Sequence, residues 1–253
     1  MPAGDYLVER LAYIVKELVH EAADVITLKL VPESDSIFDF KPGQFVNLMI
    51  TMRDGPVPFL SKPYSISSSP TNKDYLGLTI KITEREGSFP KLVSKLRPGD
   101  KVMLMGPFGV FFFDPDKHKD IVMIAGGVGI TPFHSMIAYA TDKKLSNKLL
   151  LLFSNKTCSE TIFYKDFESF AKTNPNFKYL CTATREEQVS MSGIETGRFD
   201  ADRILKACGG SSEGKHFMLC GSTPFVEGFR DLLLVTMRVP KERVLYELFG
   251  SGV

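Results

Sequence analysis

The chain has 253 residues, 43% hydrophobic and 24% charged, and its 31 basic and 30 acidic residues leave a net charge of +1. That balance excludes the basic footprint of a nucleic-acid binder, and no apolar run reaches the ~20 residues of a membrane span. The Met1–Asp5 start has neither the basic nor the apolar part of a signal peptide, so a cytoplasmic location is expected. Cys158, Cys181, Cys208 and Cys220 stand singly, without the paired spacing of an iron–sulfur or zinc site, and His20, His118, His134 and His216 are equally scattered.

Residues 6–30 open ambiguously. Leu11, Ile14, Val15, Leu18 and Val19 have helical spacing, whereas Val25 to Leu30 alternates as a strand does. Strands are then expected at Phe45–Ile50, around Tyr64, at Leu76–Thr83 and at Lys101–Met105, with breaks at Lys41–Gln44, Arg53–Pro56, Leu96–Asp100 and Gly106–Gly109. Such spacing predicts a small antiparallel β-barrel.

Within it, the stretch Ser61 to Pro70 combines Lys62, Pro63, the Tyr64 ring and the hydroxyls of Ser65, Ser67, Ser68 and Ser69. Alternation puts Tyr64 and Ile66 on one face, Ser65 and Ser67 on the other. A flat ligand with a phosphate tail could use the ring, the hydroxyls and the cation together. A plain edge strand with a serine-rich exit turn is the alternative. Gly87, Ser88 and Phe89 open a short helix with Pro90 in its first turn, a place where free amides attract an anion. Lys81 on the preceding strand adds positive potential. Asp114–Asp120 is polar and contains a proline, so it is expected to link two domains.

The texture then changes. Continuous apolar runs at Ile121–Ala125, Leu149–Phe153, Phe177–Thr182, Phe217–Gly221 and Val244–Glu247 alternate with helical patterns at 133–140, 163–172, 201–207 and 224–237. This is the signature of an α/β doubly wound parallel sheet, whose ligands lie beyond the carboxyl ends of the strands. Gly126-Gly127-Val128-Gly129 stands at such an end and leads into a helix, although Pro132 replaces the third glycine of a GxGxxG fingerprint. A tight strand-to-helix turn is the plain alternative.

YSISS, GSF, GPFG, GGVGITP and CGS, in that order from about Ile14 to Gly250, resemble the ferredoxin–NAD(P)+ reductase family of flavoproteins. The resemblance implies an FAD-binding β-barrel over 1–115 and an NAD(P)-binding α/β domain over 120–253. It implies that Tyr64 stacks on the flavin ring, that Ser65 bonds near flavin N5, and that Thr79, Ile80 and Lys81 line the cofactor. Gly87, Ser88 and Phe89 meet its pyrophosphate. Lys62 stands where the family has an arginine, a point charge instead of a planar fork, and Pro90 replaces a hydroxyl residue, so FMN stays open as well as FAD.

In the second half, Gly127, Val128 and Gly129 meet the dinucleotide pyrophosphate, Thr131 lies between the cofactors, and Cys220, Gly221 and Ser222 flank the nicotinamide. Glu247 and Phe249 match an acid and a ring that close over the flavin. Ser65, Cys220 and Glu247 are thereby the candidate catalytic residues. Lys156, Thr184 and Arg185 occupy strand ends where the adenosine lies, and two cations without an obvious acid lean toward NADP(H) over NAD(H). The implied activity is hydride transfer from NAD(P)H to flavin, with electrons passed to ferredoxin or another one-electron carrier protein. A reductase subunit feeding an oxygenase or cytochrome, and a non-catalytic flavin-binding adaptor, are the alternatives.

Overall fold

The change of texture along the chain becomes a division into two units in the computed structural model, which describes residues 8–34, 37–51, 59–189 and 191–250. One unit is Met1–Phe112 with His134–Tyr139, and the other is Phe113–Phe133 with Ala140–Val253. The break expected at 53–56 and the start of the first apolar pattern at Tyr6 and Leu7 lie outside the described residues.

In the first unit, β1 (Glu9–Ala22), β2 (Val25–Pro32), β3 (Phe45–Thr51), β4 (Phe59–Ser65), β5 (Leu76–Lys81) and β6 (Lys101–Phe108) form one sheet in the order β4-β3-β6-β1-β2-β5. Every pairing is antiparallel. A bridge between Ile66 and Leu78 joins the two outer strands and closes the sheet into a barrel. Tyr13, Val15, Leu28, Leu48, Ile66, Leu78 and Leu104 fill it, each fully buried. A short helix, α1 (Phe89–Val93), interrupts the strands with Pro90 in its first turn.

The ambiguity over the described part of the first apolar pattern resolves to a strand from Glu9 onward. The β1–β2 register slips between Val15 and Glu17, a bulge that moves the inward-facing set from Tyr13 and Val15 to Leu18. A strand whose parity changes midway mimics three-to-four spacing. The expected turn at 106–109 is also displaced, because β6 continues through Phe108 and only Gly109, at φ 100°, reverses the chain.

In the second unit, β7 (Asp120–Gly126), β8 (Lys148–Asn155), β9 (Phe177–Ala183), β10 (Ile194–Thr196), β11 (His216–Ser222) and β12 (Val244–Phe249) run parallel in the order β10-β9-β8-β7-β11-β12. The helices α2 (Thr131–Asp142), α3 (Tyr164–Thr173), α4 (Ala201–Ala207) and α5 (Thr223–Asp231) alternate with them. Val122, Ile124, Leu152, Phe217 and Leu219 pack with Ile204 of α4 and Val226 of α5. β10, three residues long, has too short a pattern to be read from sequence. The Asp114–Asp120 run is folded into this unit, since the Asn147 side-chain amide donates to the carbonyls of Pro115 at 2.8 Å and His118 at 2.9 Å. Among the described residues no helix is long and apolar enough to cross a membrane.

Candidate functional site

β4 brings Lys62, Pro63, Tyr64 and Ser65 into register with Leu48, Asn47, Val46 and Phe45 of β3. Lys62 and Pro63 are exposed, Tyr64 is half-buried and Ser65 is buried. The Tyr64 ring lies against Phe89, with centroids 6.0 Å apart and planes 28° apart, so the barrel strand and the start of α1 meet. Burial pushes the Tyr64 phenol well above its usual range, so it is neutral at any physiological pH.

Ser67 and Ser68 already have partners within the protein. The Ser67 amide donates to the Gly77 carbonyl at 2.9 Å, the Gly77 amide donates to Ser68 Oγ at 2.9 Å, and the Thr79 hydroxyl donates to Ser67 Oγ at 2.9 Å. Thr79 also lies 2.8 Å from the Thr27 hydroxyl, which donates to Glu21 at 2.7 Å. These contacts fasten the chain after β4 onto β5, and they occupy the Thr79 hydroxyl on the face opposite the core residues Leu78 and Ile80. Ile80 is core, and Lys81 pairs with Asp24 at 2.8 Å.

Before α1, Gly87 has φ +74° with nothing within 4 Å of where a Cβ would stand. Ser88 caps the helix, its Oγ accepting from the Lys91 amide at 3.4 Å and donating to the Arg85 carbonyl at 2.7 Å. The Ser88 amide donates to the Arg85 carbonyl and Pro90 has no amide, so a phosphate placed here would meet the open backbone of Gly87 and Phe89.

In the second unit, β7 ends at Gly126, a 3-10 turn spans Gly127–Ile130, and α2 begins at Thr131. Gly127 has φ +53° and open space at its missing Cβ, so its backbone is approachable. Gly129 is the opposite case. A Cβ there would stand 2.3 Å from the Cys220 carbonyl oxygen and 2.6 Å from the Gly221 nitrogen. The loop after β7 and the end of β11, two motifs far apart in sequence, are therefore in direct contact. Thr131 is buried and its hydroxyl donates to the Val128 carbonyl at 3.0 Å, holding the turn together. A dinucleotide pyrophosphate fits against such a turn, with Gly127 and Val128 presenting backbone to it.

Cys220 is fully buried, and burial, then the nearby Glu247 charge, holds its thiol well above the usual range. It is a neutral packing group and not a nucleophile. β12 sets Glu247 beside Cys220, Leu248 beside Gly221 and Phe249 beside Ser222. Glu247 and Phe249 are half-buried, and Ser222 is exposed at the start of α5.

At the other end of the sheet, the Arg185 amide donates to the Lys156 carbonyl at 2.9 Å, which brings the two expected cations together, both exposed. The Thr184 hydroxyl donates to the Asn155 carbonyl at 3.0 Å. Two acids that sequence reading passed over share these loops. Glu160 accepts from the Lys156 amide at 3.2 Å, and Glu186 accepts from the Cys158 amide at 3.1 Å. Their only sequence signal was adjacency: Glu186 follows Arg185 directly.

Two family models match the chain in tandem, an oxidoreductase FAD-binding domain over residues 12–113 and an oxidoreductase NAD-binding domain over residues 123–231. The chain is 26% identical to the Bacillus subtilis flavohemoprotein, covering 94% of this chain and 59% of that one. It is 27% identical to ferredoxin–NADP reductase B of Sorangium cellulosum, covering 96% and 94%. The FAD/NAD-binding domain of nitric oxide dioxygenase from Vibrio cholerae shares the fold at a TM-score of 0.81, with 24% identity over 95% of this chain and 98% of that one. The chain spans about three fifths of the length of the flavohemoproteins and monooxygenase reductase subunits it matches, 58% to 60%. A barrel that matches an FAD-binding model, followed by a parallel sheet that matches an NAD-binding model, makes this chain a member of the ferredoxin–NADP reductase family of flavin-dependent oxidoreductases.

Proposed function

We propose that this chain accepts electrons from a nicotinamide nucleotide through bound FAD and delivers them singly to an acceptor protein, ferredoxin before others. The observation that carries the reading is the contact of Gly129 with Cys220 and Gly221, which joins a phosphate-binding turn to a strand end bearing a neutral thiol. When bound, the flavin supplies the chemistry that turns a hydride into two separately transferable electrons.

The chain's own residues bind and orient. Gly87 and Phe89 offer backbone to the flavin pyrophosphate, with Lys62 as its counter-charge. Tyr64, backed by Phe89, gives the ring a rigid aromatic face, and Ser65 holds a proton near flavin N5. Gly127, Val128 and Thr131 shape the nucleotide's phosphate turn. Cys220 packs against the nicotinamide without reacting, Ser222 bonds its amide, and Glu247 moves a proton while Phe249 shields the ring from water.

Similarity to monooxygenase reductase subunits over part of their length supports a second reading, in which the acceptor is an oxygenase component. Spectral titration of the purified chain with NADH and NADPH tests the first claim: a flavin spectrum that bleaches on addition. A chain that stays colourless after reconstitution with FAD refutes it. Reduction of added ferredoxin, compared with reduction of an artificial dye, separates the acceptor readings.

A further inference from the structure

We propose that Ser67, Thr79, Thr27 and Glu21 form a relay that carries a proton from the flavin side of the barrel to solvent; the inference rests on the reductase reading above. A hydride brings two electrons and one proton, so an acceptor that takes the electrons singly leaves a proton that must depart from the site. The four side chains make an unbroken line of oxygens. Ser67 Oγ lies 2.9 Å from Thr79 Oγ1, which lies 2.8 Å from Thr27 Oγ1, which lies 2.7 Å from Glu21 Oε1. The three hydroxyl residues are buried and Glu21 is half-buried, so the line reaches water at its carboxylate end. Ile66 points into the core, so Ser65 and Ser67 on either side of it share the opposite face. The inner end of the line thus shares a face with the residue read above as holding a proton near flavin N5.

Each hydroxyl has one hydrogen to give. With Thr79 donating to Ser67 and Thr27 donating to Glu21, the 2.8 Å contact between the threonines contains none, and two oxygens at that separation need one. One end bond therefore reverses. With Glu21 ionised, Ser67 donates to Thr79, Thr79 to Thr27 and Thr27 to the carboxylate; with Glu21 protonated, the whole line points the other way. A proton arriving at Ser67 Oγ converts the first order into the second. The Ser67 hydrogen passes to Thr79, that of Thr79 to Thr27 and that of Thr27 to Glu21, which releases it to water. Each oxygen forms one O–H bond and breaks one, no electrons move, and rotation of the three hydroxyls resets the line. Local structure aims the groups. Thr27 and Thr79 are directly opposite in the β2–β5 register. Glu21 is the extra residue where β1 slips against β2 between His20 and Ala22, a bulge that re-aims its side chain. Lys29, paired with Glu17 at 2.9 Å, is a cation whose field reaches Glu21, and Asp24 pairs with Lys81 at 2.8 Å at the neighbouring strand ends.

The test mixes the pre-reduced, FAD-loaded chain with ferricyanide, which takes electrons singly and no proton, while an indicator dye reports proton release. Glu21→Gln and Thr79→Val should each slow release about tenfold or more, and Thr79→Ser should keep the wild-type rate. Time-resolved infrared spectra of the same reaction should show a transient protonated-carboxyl band in the wild type that Glu21→Gln lacks. Release at the wild-type rate in Glu21→Gln overturns the relay, and so does a wild type without the carboxyl band. Thr79→Ser as slow as Thr79→Val also overturns it; should Thr79→Val fail to fold, Glu21→Gln decides alone. A chain that takes up no FAD overturns the reductase reading and this inference with it, whereas a flavin that bleaches with NADH or NADPH but releases its proton equally fast in every variant overturns the relay alone.

Discussion

Replacing Gly129 with alanine puts a methyl group where the structure has no room. Its carbon would stand 2.3 Å from the Cys220 carbonyl oxygen, 2.5 Å from the carbonyl carbon and 2.6 Å from the Gly221 nitrogen. These are backbone atoms of β11, which is paired on one side with β7 and on the other with β12, so no rotamer change relieves the overlap. Ordinary carbon contacts begin near ~3.5 Å, so strand and loop must separate by about 1 Å. Overpacking of this kind costs about 1–3 kcal/mol, and the rigid neighbours place Gly129→Ala at about 3 kcal/mol.

Gly127→Ala, two residues earlier, is the internal control. It meets nothing within 4 Å and carries only the left-handed backbone penalty at φ +53°, about 1 kcal/mol. Urea unfolding followed by circular dichroism gives both values, and hydrogen exchange at the β11 amides assigns the loss to the second unit. Gly129→Ala should also weaken nucleotide binding by separating the phosphate turn from the strand end. If Gly129→Ala proves no more destabilising than Gly127→Ala, the contact does not hold the loop, and the central observation behind the proposed function falls.

Three further outcomes are expected. His118 and His216, with ring centroids 5.3 Å apart, are both held below the ordinary imidazole value, by burial first and then by His216 for the former and Arg243 for the latter. Because the unfolded chain protonates more readily, their contribution is complete above the unfolded value of about 6.5 and is lost as pH falls through the lower folded values. Melting curves from pH 7.5 to 5 should show the second unit losing stability, with a shallower slope in His216→Phe; an identical slope would exclude the pair. Thr79→Val removes the hydroxyl between Ser67 and Thr27 and should cost about 1–3 kcal/mol, much of it recovered by Thr79→Ser, as measured by denaturant unfolding. Ser65→Ala should slow reduction of bound flavin about tenfold or more while leaving the flavin absorbance intact; an unchanged stopped-flow rate removes Ser65 from proton handling.

Much of the organisation is visible without coordinates because it depends on local pattern. Alternating strands broken by Pro-Gly turns, then apolar runs separated by helical periods, are properties of neighbouring residues. Gly127 could be singled out because a glycine at the end of a buried strand has few other uses. Lys156 and Arg185 lie together because successive strand ends of a parallel sheet are neighbours. Their acidic companions were missed because side-chain direction in a loop depends on which amides are available, and Glu186 turns toward an amide of the other loop, at Cys158. The bulge in β1 escaped for a similar reason: one extra residue changes the inward face of everything after it, and only the partner strand reveals the slip.

The sequence alone determined that a small barrel precedes a parallel α/β sheet, and that glycine turns suited to phosphates open helices in both, because periodicity and backbone freedom are encoded locally. Only the tertiary structure decided which polar groups remain for a ligand. Thr79 and most of the serine run are taken up in closing the barrel, Cys220 is held as an inert thiol, and one oxygen of Glu186 is left without a donor. Each of these depends on what distant segments bring within hydrogen-bonding distance, and hydrogen bonds act over a few ångströms of space whatever the separation along the chain.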